Sequence, residues 1–293
     1  MAIAENRTVK ITEATTLLTL AFKKQRPVFM WGPPGIGKSE LVEGIGASGV
    51  LGNTKVIDMR LALFEPTDLR GYPAPDLANG KMVWLPPADL PQADMAAQYD
   101  TVILFLDELN SAAPSVQAAA YQLILNRRIG QYVLPDNVVI VAAGNRETDK
   151  GVAYRMPKPL ENRFIHVELR VDFTDWLNWA VNHNIHPDIV GYLSFAKNDL
   201  YNFDPASSSR GFATPRSWVF VSDLLKDDDC DIDTLHNLIA GAVGDGLAVK
   251  FMAHRKIAAD LPRPEDVLAG KIKELKIKEV SAMFNFKLSE LYT

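Results

Sequence analysis

Eight consecutive residues, GPPGIGKS at positions 32–39, have the composition of a loop that holds phosphate groups. Glycines let backbone N–H groups close around a phosphate, and a helix predicted from about Ser39 offers its positive N-terminus. Lys38 supplies a positive charge to the β- and γ-phosphates, and Ser39 supplies an oxygen ligand to Mg²⁺. A buried strand predicted at 28–31 precedes the loop, which is the context that such a loop needs. The predicted nucleotide-binding residues are Gly32, Pro33, Pro34, Gly35, Ile36, Gly37, Lys38, Ser39 and Glu40.

Two adjacent carboxylates, Asp107 and Glu108, end a later apolar run, 101–106. After a phosphate loop in the same sheet, Asp107 is expected to hold Mg²⁺ through water, so the predicted metal ligands are Ser39 and Asp107. Glu108 is expected to orient the attacking water and to accept its proton. Carboxylates after a strand also fit an ordinary polar turn, but their position after the loop favours the catalytic interpretation.

Three further side chains complete the predicted catalytic set. Asn145 follows an apolar run and is expected to hold the water or the γ-phosphate, although an Asn after Gly also fits a plain turn. Arg163 lies in the segment LENRF, at the predicted start of the last strand. Arg216 follows a predicted N-cap, Thr214, at a helix N-terminus, where a cation is unfavourable unless a bound phosphate compensates it. Either arginine also fits a surface ion pair.

Short apolar strands alternate with helices in the first part of the chain. Strands are predicted at 28–31, 54–59, 101–106, 138–142 and 163–169, and helices at 11–24, from about 39 and at 115–126. This alternation indicates a parallel sheet with helices on both faces. The stretch of about 60–95, rich in Pro and Gly, is predicted to be an insertion with a hairpin turn at Asn79-Gly80.

Strand signals stop near residue 170. Helices are predicted at 175–183, 187–196, 215–225, 233–251 and 264–291. The predicted organisation is therefore an α/β nucleotide-binding domain, residues 1–169, followed by a small all-helical lid domain, residues 170–293.

Composition excludes several classes of protein. The 293 residues carry a net charge of −5, which argues mildly against a protein that coats nucleic acid. Cys230 is the single cysteine of the sequence, so no internal disulfide and no cysteine-based zinc site is expected. The apolar runs are far shorter than the roughly 20 residues that span a bilayer. We expect a cytoplasmic protein without membrane insertion.

Together, these motifs resemble those of the AAA+ ATPases over nearly the whole chain, which implies the P-loop NTPase fold of that family. Residues 32–39 resemble Walker A, 104–108 Walker B, Asn145 sensor 1 and Arg216 sensor 2. Arg163 resembles the arginine finger that serves the ATP of a neighbouring subunit. The segments GPPGIGK, DELN and TPRSW, with the insertion, resemble the MoxR-like branch.

This resemblance implies ATP and Mg²⁺ as substrate and cofactor, and a homo-oligomeric ring, usually a hexamer. It also implies a chaperone-like role in the remodelling, maturation or assembly of a partner protein, in many relatives beside a protein with a von Willebrand factor A domain. The alternative is a nucleic-acid-associated motor or loader, which the acidic net charge disfavours. A nucleotide-gated scaffold is disfavoured by Glu108, because a scaffold needs no group that activates water.

Three points stay open at this stage. No base-reading residue is recognisable, so GTP is not distinguished from ATP. Tyr72 and Trp84, in the insertion, fit a ring pore and hairpin packing equally well. Four arginines are candidates for the trans arginine finger: Arg163, Arg155, Arg127 and Arg128.

Overall fold

The computed structural model describes residues 8–149, 154, 156–207, 209–226 and 230–259. The chain divides into two compact units, Met1–Arg170 and Val171–Thr293. The strands described in the first unit are β1 (Thr8–Val9), β2 (Val28–Trp31), β3 (Thr54–Arg60), β4 (Tyr72–Asp76), β5 (Lys81–Leu85), β6 (Thr101–Asp107), β7 (Arg128–Ile129), β8 (Tyr132–Val133), β9 (Val138–Gly144) and β10 (Ile165–Leu169). Its helices are α1 (Ile11–Lys23), α2 (Lys38–Ala47), α3 (Pro66–Arg70), α4 (Ala93–Ala96), α5 (Pro114–Asn126) and α6 (Lys158–Glu161).

Six of the described strands form one parallel sheet in the order β1-β10-β2-β9-β6-β3. The central strands β2, β9 and β6 consist almost wholly of buried apolar residues, as a parallel sheet covered on both faces requires. Because all six strands run the same way, the loops after β2, β6 and β9 leave the sheet at one edge, here called the carboxyl edge. β9 lies between β2 and β6, so its end is next to both of the other loops.

Helices pack on both faces of this sheet. In β6, Leu104 and Leu106 share a buried core with α5, while Ile103 and Phe105 alternate with them and are buried on the opposite face. Helix α2 contacts β3 and β6. The predicted fold class, a parallel α/β sheet with helices on both faces followed by a helical region, is confirmed.

The predicted insertion contains an antiparallel hairpin, β4 and β5, with a turn at 77–80. Gly71 enters this hairpin with a φ of 87°, and a Cβ there would lie 1.9 Å from the carbonyl oxygen of Leu85. The Arg70 guanidinium lies 4.1 Å from the ring centroid of Trp84, which is half-buried, whereas Tyr72 is exposed. Trp84 therefore packs against Arg70 of α3. A second hairpin, β7 and β8, follows α5.

The second unit is helical in its described part. Its helices are α7 (Phe173–Asn182), α8 (Pro187–Phe195), α9 (Pro215–Lys226), α10 (Ile232–Val243) and α11 (Asp245–Ala259). They enclose an apolar core in which Trp218 and Phe251 are fully buried and Trp176 is nearly so. None of the helices in the described ranges is long and apolar enough to cross a membrane.

Three predicted elements need correction or fall outside this description, and one strand was not predicted. The sheet has an additional strand, β1, whose two residues are too short to show a periodic pattern. The strand predicted from Arg163 begins at Ile165, because α6 and its closing turn occupy the preceding residues. The helix predicted over 233–251 is two helices, because Gly244, with a φ of 93°, separates α10 from α11. The helix predicted over 264–291 lies outside the described residues.

Candidate nucleotide site

The phosphate loop connects β2 to α2 at the carboxyl edge of the sheet. The N–H of Gly32 donates to the carbonyl of Gly144 at 3.2 Å, which joins the start of the loop to the end of β9. A Cβ at residue 32 would lie 2.6 Å from Cδ1 of Ile36, so the end of the Ile36 side chain would have to move to admit any residue but glycine. Gly37 caps α2 with a φ of 94°. The first turn of α2 therefore follows the loop directly and directs its N–H groups toward it.

Lys38 connects the loop to the end of β9. Its Nζ donates to the carbonyls of Gly32 at 2.7 Å and Pro33 at 3.0 Å, and to Oδ1 of Asn145 at 3.3 Å. These acceptors match the three N–H bonds of an ammonium group. Lys38 and Asn145 are 107 positions apart in the sequence, and the structure brings them into contact.

The predicted carboxylates follow β6 at the same edge. Asp107 is buried, with 8% of its surface exposed, and its Oδ1 accepts a hydrogen bond from the N–H of Glu108 at 2.9 Å. Glu108 has a φ of 55°, a left-handed conformation that is uncommon for a residue with a side chain. It stands between buried Asp107 and buried Leu109 and is itself only half-buried. The chain thus turns at Glu108 and leaves this residue partly exposed.

Asn110 is a site residue that the sequence reasoning missed. It is 1% exposed, and its Nδ2 donates to the backbone carbonyl of Asn145 at 2.7 Å. Its Oδ1 is buried without a hydrogen-bond partner among the described residues. A Cβ on Gly144 would lie 2.1 Å from this Oδ1, so the close contact requires glycine at 144. Asn110 therefore links the turn after β6 to the end of β9. The polar fourth position of DELN was the available signal.

Several carboxylates lie near the carboxyl edge of the sheet. Partial burial, followed by the neighbouring Asp107 carboxylate, raises the pKa of Asp58 on β3. Glu43 and Glu108 act in the same direction, while Arg60 opposes them. A local excess of carboxylates is an environment that a divalent cation neutralises.

The residues present fit a magnesium nucleotide. The Ser39 hydroxyl and the Asp107 carboxylate are the hard oxygen ligands that Mg²⁺ takes, and Mg²⁺ uses one or two protein ligands together with waters and substrate phosphates. No group of three or more His, Cys, Asp or Glu side chains that could hold a metal ion is found in the described ranges. At the end of β9, glycine at 144 leaves room for the close contact with Asn110.

Arg163 lies at the opposite edge of the sheet from the phosphate loop. It is exposed, in the turn between α6 and β10. The N–H of Ile165 donates to the carbonyl of Pro27, and Ile165 pairs with Val28 at the start of β2. At about 3.3 Å per residue, the four positions from Val28 to Gly32 place the start of β10 roughly 13 Å from the loop along the strand direction, and Arg163 lies in the turn before it. The structure therefore does not bring Arg163 to its own phosphate loop.

The other candidate fingers differ in their contacts. The Arg127 guanidinium donates to the carbonyls of Pro135 at 2.7 Å and Val138 at 2.9 Å, and burial lowers its pKa. Arg127 thus fixes the chain after α5. Arg128 is exposed beside it, with a long contact of 3.4 Å to the carbonyl of Gly130. Arg155 lies outside the described residues.

Arg216 stands in the second unit, at the start of α9. Thr214 caps this helix: the N–H of Ser217 donates to Thr214 Oγ1 at 3.1 Å, and the N–H of Thr214 donates to Ser217 Oγ at 2.7 Å. This reciprocal pair confirms the predicted N-cap. Arg216 is exposed in the first turn, and its predicted part in the nucleotide site stays a prediction.

Comparison with known families decides the class of this fold. Residues 27–164 match the family model described as AAA domain, dynein-related subfamily. This segment is just under half of the chain. It spans the phosphate loop, both carboxylates, Asn145 and Arg163. The match confirms the predicted P-loop AAA+ fold over these residues and agrees with the predicted class of enzyme, an ATPase.

The chain is also similar to individual proteins and solved structures. Midasin of Giardia intestinalis is 30% identical over 181 residues, which cover 59% of this chain and 4% of midasin, so the chain spans a small part of that relative's length. Among solved structures, the RuvB Holliday junction branch migration motor of Thermotoga maritima is 18% identical, with a TM-score of 0.42, over 83% of this chain and 67% of RuvB. NtrX of Brucella abortus in complex with ADP is 16% identical, with a TM-score of 0.46, over 98% of this chain and 64% of NtrX.

Proposed function

We propose that this chain is a Mg²⁺-dependent ATPase of the MoxR-like branch of AAA+ proteins, which works as a ring and remodels or assists the assembly of a partner protein. The observation that carries the catalytic part is the contact network at the carboxyl edge. Lys38 meets Asn145, and Asn145 is held by Asn110, which lies two residues after Glu108. Residues from three loops thus converge where a parallel sheet binds its ligand.

Each residue of the network has a distinct task in this proposal. Lys38 and the N–H groups of the loop bind the phosphates, and Ser39 with Asp107 would hold Mg²⁺, which supplies charge neutralisation when bound. Glu108 accepts a proton from the attacking water, and the turn leaves this residue partly exposed for this step. Asn145 orients the water or the γ-phosphate through its side-chain amide.

Lys38→Ala tests the phosphate site. We expect this variant to lose most of its Mg·ATP affinity in calorimetry, because Lys38 is the charged residue of the loop. Lys55→Ala, which removes an exposed lysine from β3, is the matched control and should bind like the unaltered chain. Unchanged affinity in Lys38→Ala would refute the assignment of the loop.

Arg163 supports the ring part of the proposal. Its position at the edge opposite its own phosphate loop suits a group that is offered to a neighbouring subunit, and a finger supplied in trans is worth about 10³-fold or more in rate. Arg127 is a weaker candidate because backbone carbonyls already occupy its guanidinium. We propose that Arg216 instead serves the nucleotide of its own subunit.

Mixed rings test this assignment. Arg163→Ala and Glu108→Gln chains should each be nearly inactive alone. A mixture contains interfaces with an intact Glu108 on one side and an intact Arg163 on the other, so ATPase activity should reappear. Arg216→Ala mixed with Glu108→Gln should stay inactive, because the intact Glu108 always shares its chain with the missing Arg216. No recovery in the first mixture, with mixed rings confirmed by mass, would refute Arg163 as the finger.

The partner is the least specified part of the proposal. The MoxR-like motifs favour a protein partner, possessing or accompanied by a von Willebrand factor A domain, and the net charge of −5 favours it over nucleic acid. Glu108→Gln chains loaded with Mg·ATP should retain a protein partner in a pull-down. Stimulation of ATPase activity by DNA or RNA, with no protein retained, would instead support a nucleic-acid motor or loader.

A further inference from the structure

A chain of hydrogen bonds crosses one face of the sheet between the phosphate loop and the turn that bears Arg163. Trp31 immediately precedes Gly32, and its Nε1 donates to Nδ1 of His166 at 2.9 Å. Nε2 of His166 contacts the carbonyl of Glu161 at 2.8 Å. Glu161 is the last residue of α6 and stands two positions before Arg163.

The hydrogen bonds determine the state of the His166 ring. An indole N–H only donates, so Nδ1 must accept, and Nε2 must carry the proton that it donates to the carbonyl of Glu161. The rings of Trp31 and His166 are stacked, with centroids 6.0 Å apart. A neutral ring with both nitrogens engaged thus forms a rigid bridge from the end of β2 to the end of α6.

The same turn is fixed from its other side. The N–H of Phe164 donates to the carbonyl of Glu161 at 3.1 Å, and the Phe164 ring is buried, edge-on to Phe29 at 5.4 Å. Arg163 therefore projects from a turn whose two ends are both held. A guanidinium that must reach the phosphates of another subunit gains from such fixed presentation.

We propose that Trp31 and His166 are positioning residues for Arg163, so that the strand leading into each subunit's phosphate loop also sets the arginine which that subunit offers to its neighbour. This inference rests on the proposed function, because it takes Arg163 as the trans finger. Although Trp31 adjoins the phosphate loop of its own subunit, the bridge acts on the nucleotide site of the neighbouring subunit. The defect of a bridge variant should therefore appear in trans.

His166→Phe tests the bridge. This change keeps an aromatic ring to stack on Trp31 and removes both hydrogen bonds. Rings of this variant alone should lose about tenfold or more in kcat, while Mg·ATP affinity stays within about threefold. Mixed with Glu108→Gln, the variant should recover activity, because at some interfaces an intact Glu108 then faces a well-placed Arg163 from the other chain. The mixture of Arg163→Ala with Glu108→Gln is assayed alongside as the reference for a finger that acts in trans.

Two further variants keep the test decisive. Trp31→Phe removes the same bond from the other end, and its effect should not add to that of His166→Phe in the double variant. His183→Phe is the matched control: His183 stacks on Trp179 at 4.3 Å in the second unit, remote in sequence from the Arg163 turn. It should keep kcat within about twofold.

The outcomes separate the inference from the function on which it rests. Recovery of both His166→Phe and Arg163→Ala in mixed rings supports the bridge. Recovery of Arg163→Ala alone shows that His166 acts within its own subunit, and this overturns the inference while the proposed function stands. No recovery of Arg163→Ala overturns the trans finger and the inference together. Full activity of both His166→Phe and Trp31→Phe alone also overturns the inference.

Discussion

Substitutions of Asn110 should separate its effect on stability from its effect on catalysis. Its Nδ2 satisfies the carbonyl of Asn145, but its buried Oδ1 has no partner among the described residues. Asn110→Leu removes both atoms. The lost hydrogen bond leaves a carbonyl unsatisfied at a cost of about 1–3 kcal/mol, and removal of the unpartnered oxygen regains a similar amount. The two effects nearly cancel.

Asn110→Asp gives the opposite balance. It keeps two acceptor oxygens and turns one of them against the Asn145 carbonyl in a site that is 1% exposed. A carboxylate buried in this way should cost about 3 kcal/mol or more. For a unit of about 170 residues, 1 kcal/mol shifts the unfolding temperature by roughly 2–4 °C. Asn110→Leu should therefore stay within about 4 °C of the unaltered chain, and Asn110→Asp should fall by about 6 °C or more.

Catalysis should fall in both Asn110 variants. Each loses the bond that holds Asn145 against Lys38, so kcat should drop by about tenfold or more even where stability is kept. Gln117→Leu is the matched control, because Gln117 is a buried amide that donates to the carbonyl of Ala112 on the same core, away from the contact network of the site. Steady-state ATPase assays and thermal unfolding of all three variants give the answer. Asn110→Leu with kcat within twofold of the unaltered chain would refute the reasoning.

Three other predictions follow from packing and charge. Gly144→Ala should lower ATPase activity by about tenfold or more, because its Cβ would overlap Oδ1 of Asn110, and normal activity would show that the end of β9 adapts freely. Asp58→Asn should raise the unfolding temperature at pH 7 in the absence of Mg²⁺, and should raise it much less near pH 4. The pKa of Asp58 is raised, which means that the folded state holds the proton of this carboxyl more tightly than the unfolded state does. The folded chain therefore loses stability as the pH rises above 3.8. An equal change in unfolding temperature at both pH values would contradict this assignment of the Asp58 pKa. Burial lowers the pKa of His254, so the folded helical unit should lose stability as the pH falls below 6.5. His254→Phe can still stack on Phe195 and should remove this loss, as measured by thermal unfolding at pH 5 and 7.5.

The elements that position the site could be predicted because each has a strong local pattern. β6 and β9 are continuous apolar runs, and the loop at 32–39 has a fixed spacing of glycines and a lysine. Their meeting point follows from the parallel sheet alone. The Lys38 contact with Asn145 thus agrees with what the sequence indicates about polar residues after neighbouring strands.

Long-range side-chain pairing could not be predicted in the same way. Asn110 and His166 act through partners 35 and 135 positions away, and no local pattern specifies such partners. The short strand β1 has two residues, which carry no period. The break at Gly244 was missed because the residues on both sides of it favour helix.

The central claim is that Glu108 activates the water that hydrolyses ATP, and one variant tests it most directly. Glu108→Gln fills the same space but cannot accept a proton. Single-turnover hydrolysis and calorimetry on Glu108→Gln should show Mg·ATP affinity within about threefold of the unaltered chain and a rate at least about a hundredfold lower. Glu43→Gln, at an exposed carboxylate on α2, should leave both unchanged. A Glu108→Gln rate within about threefold of the unaltered chain, less than about 1 kcal/mol of barrier, would contradict the account.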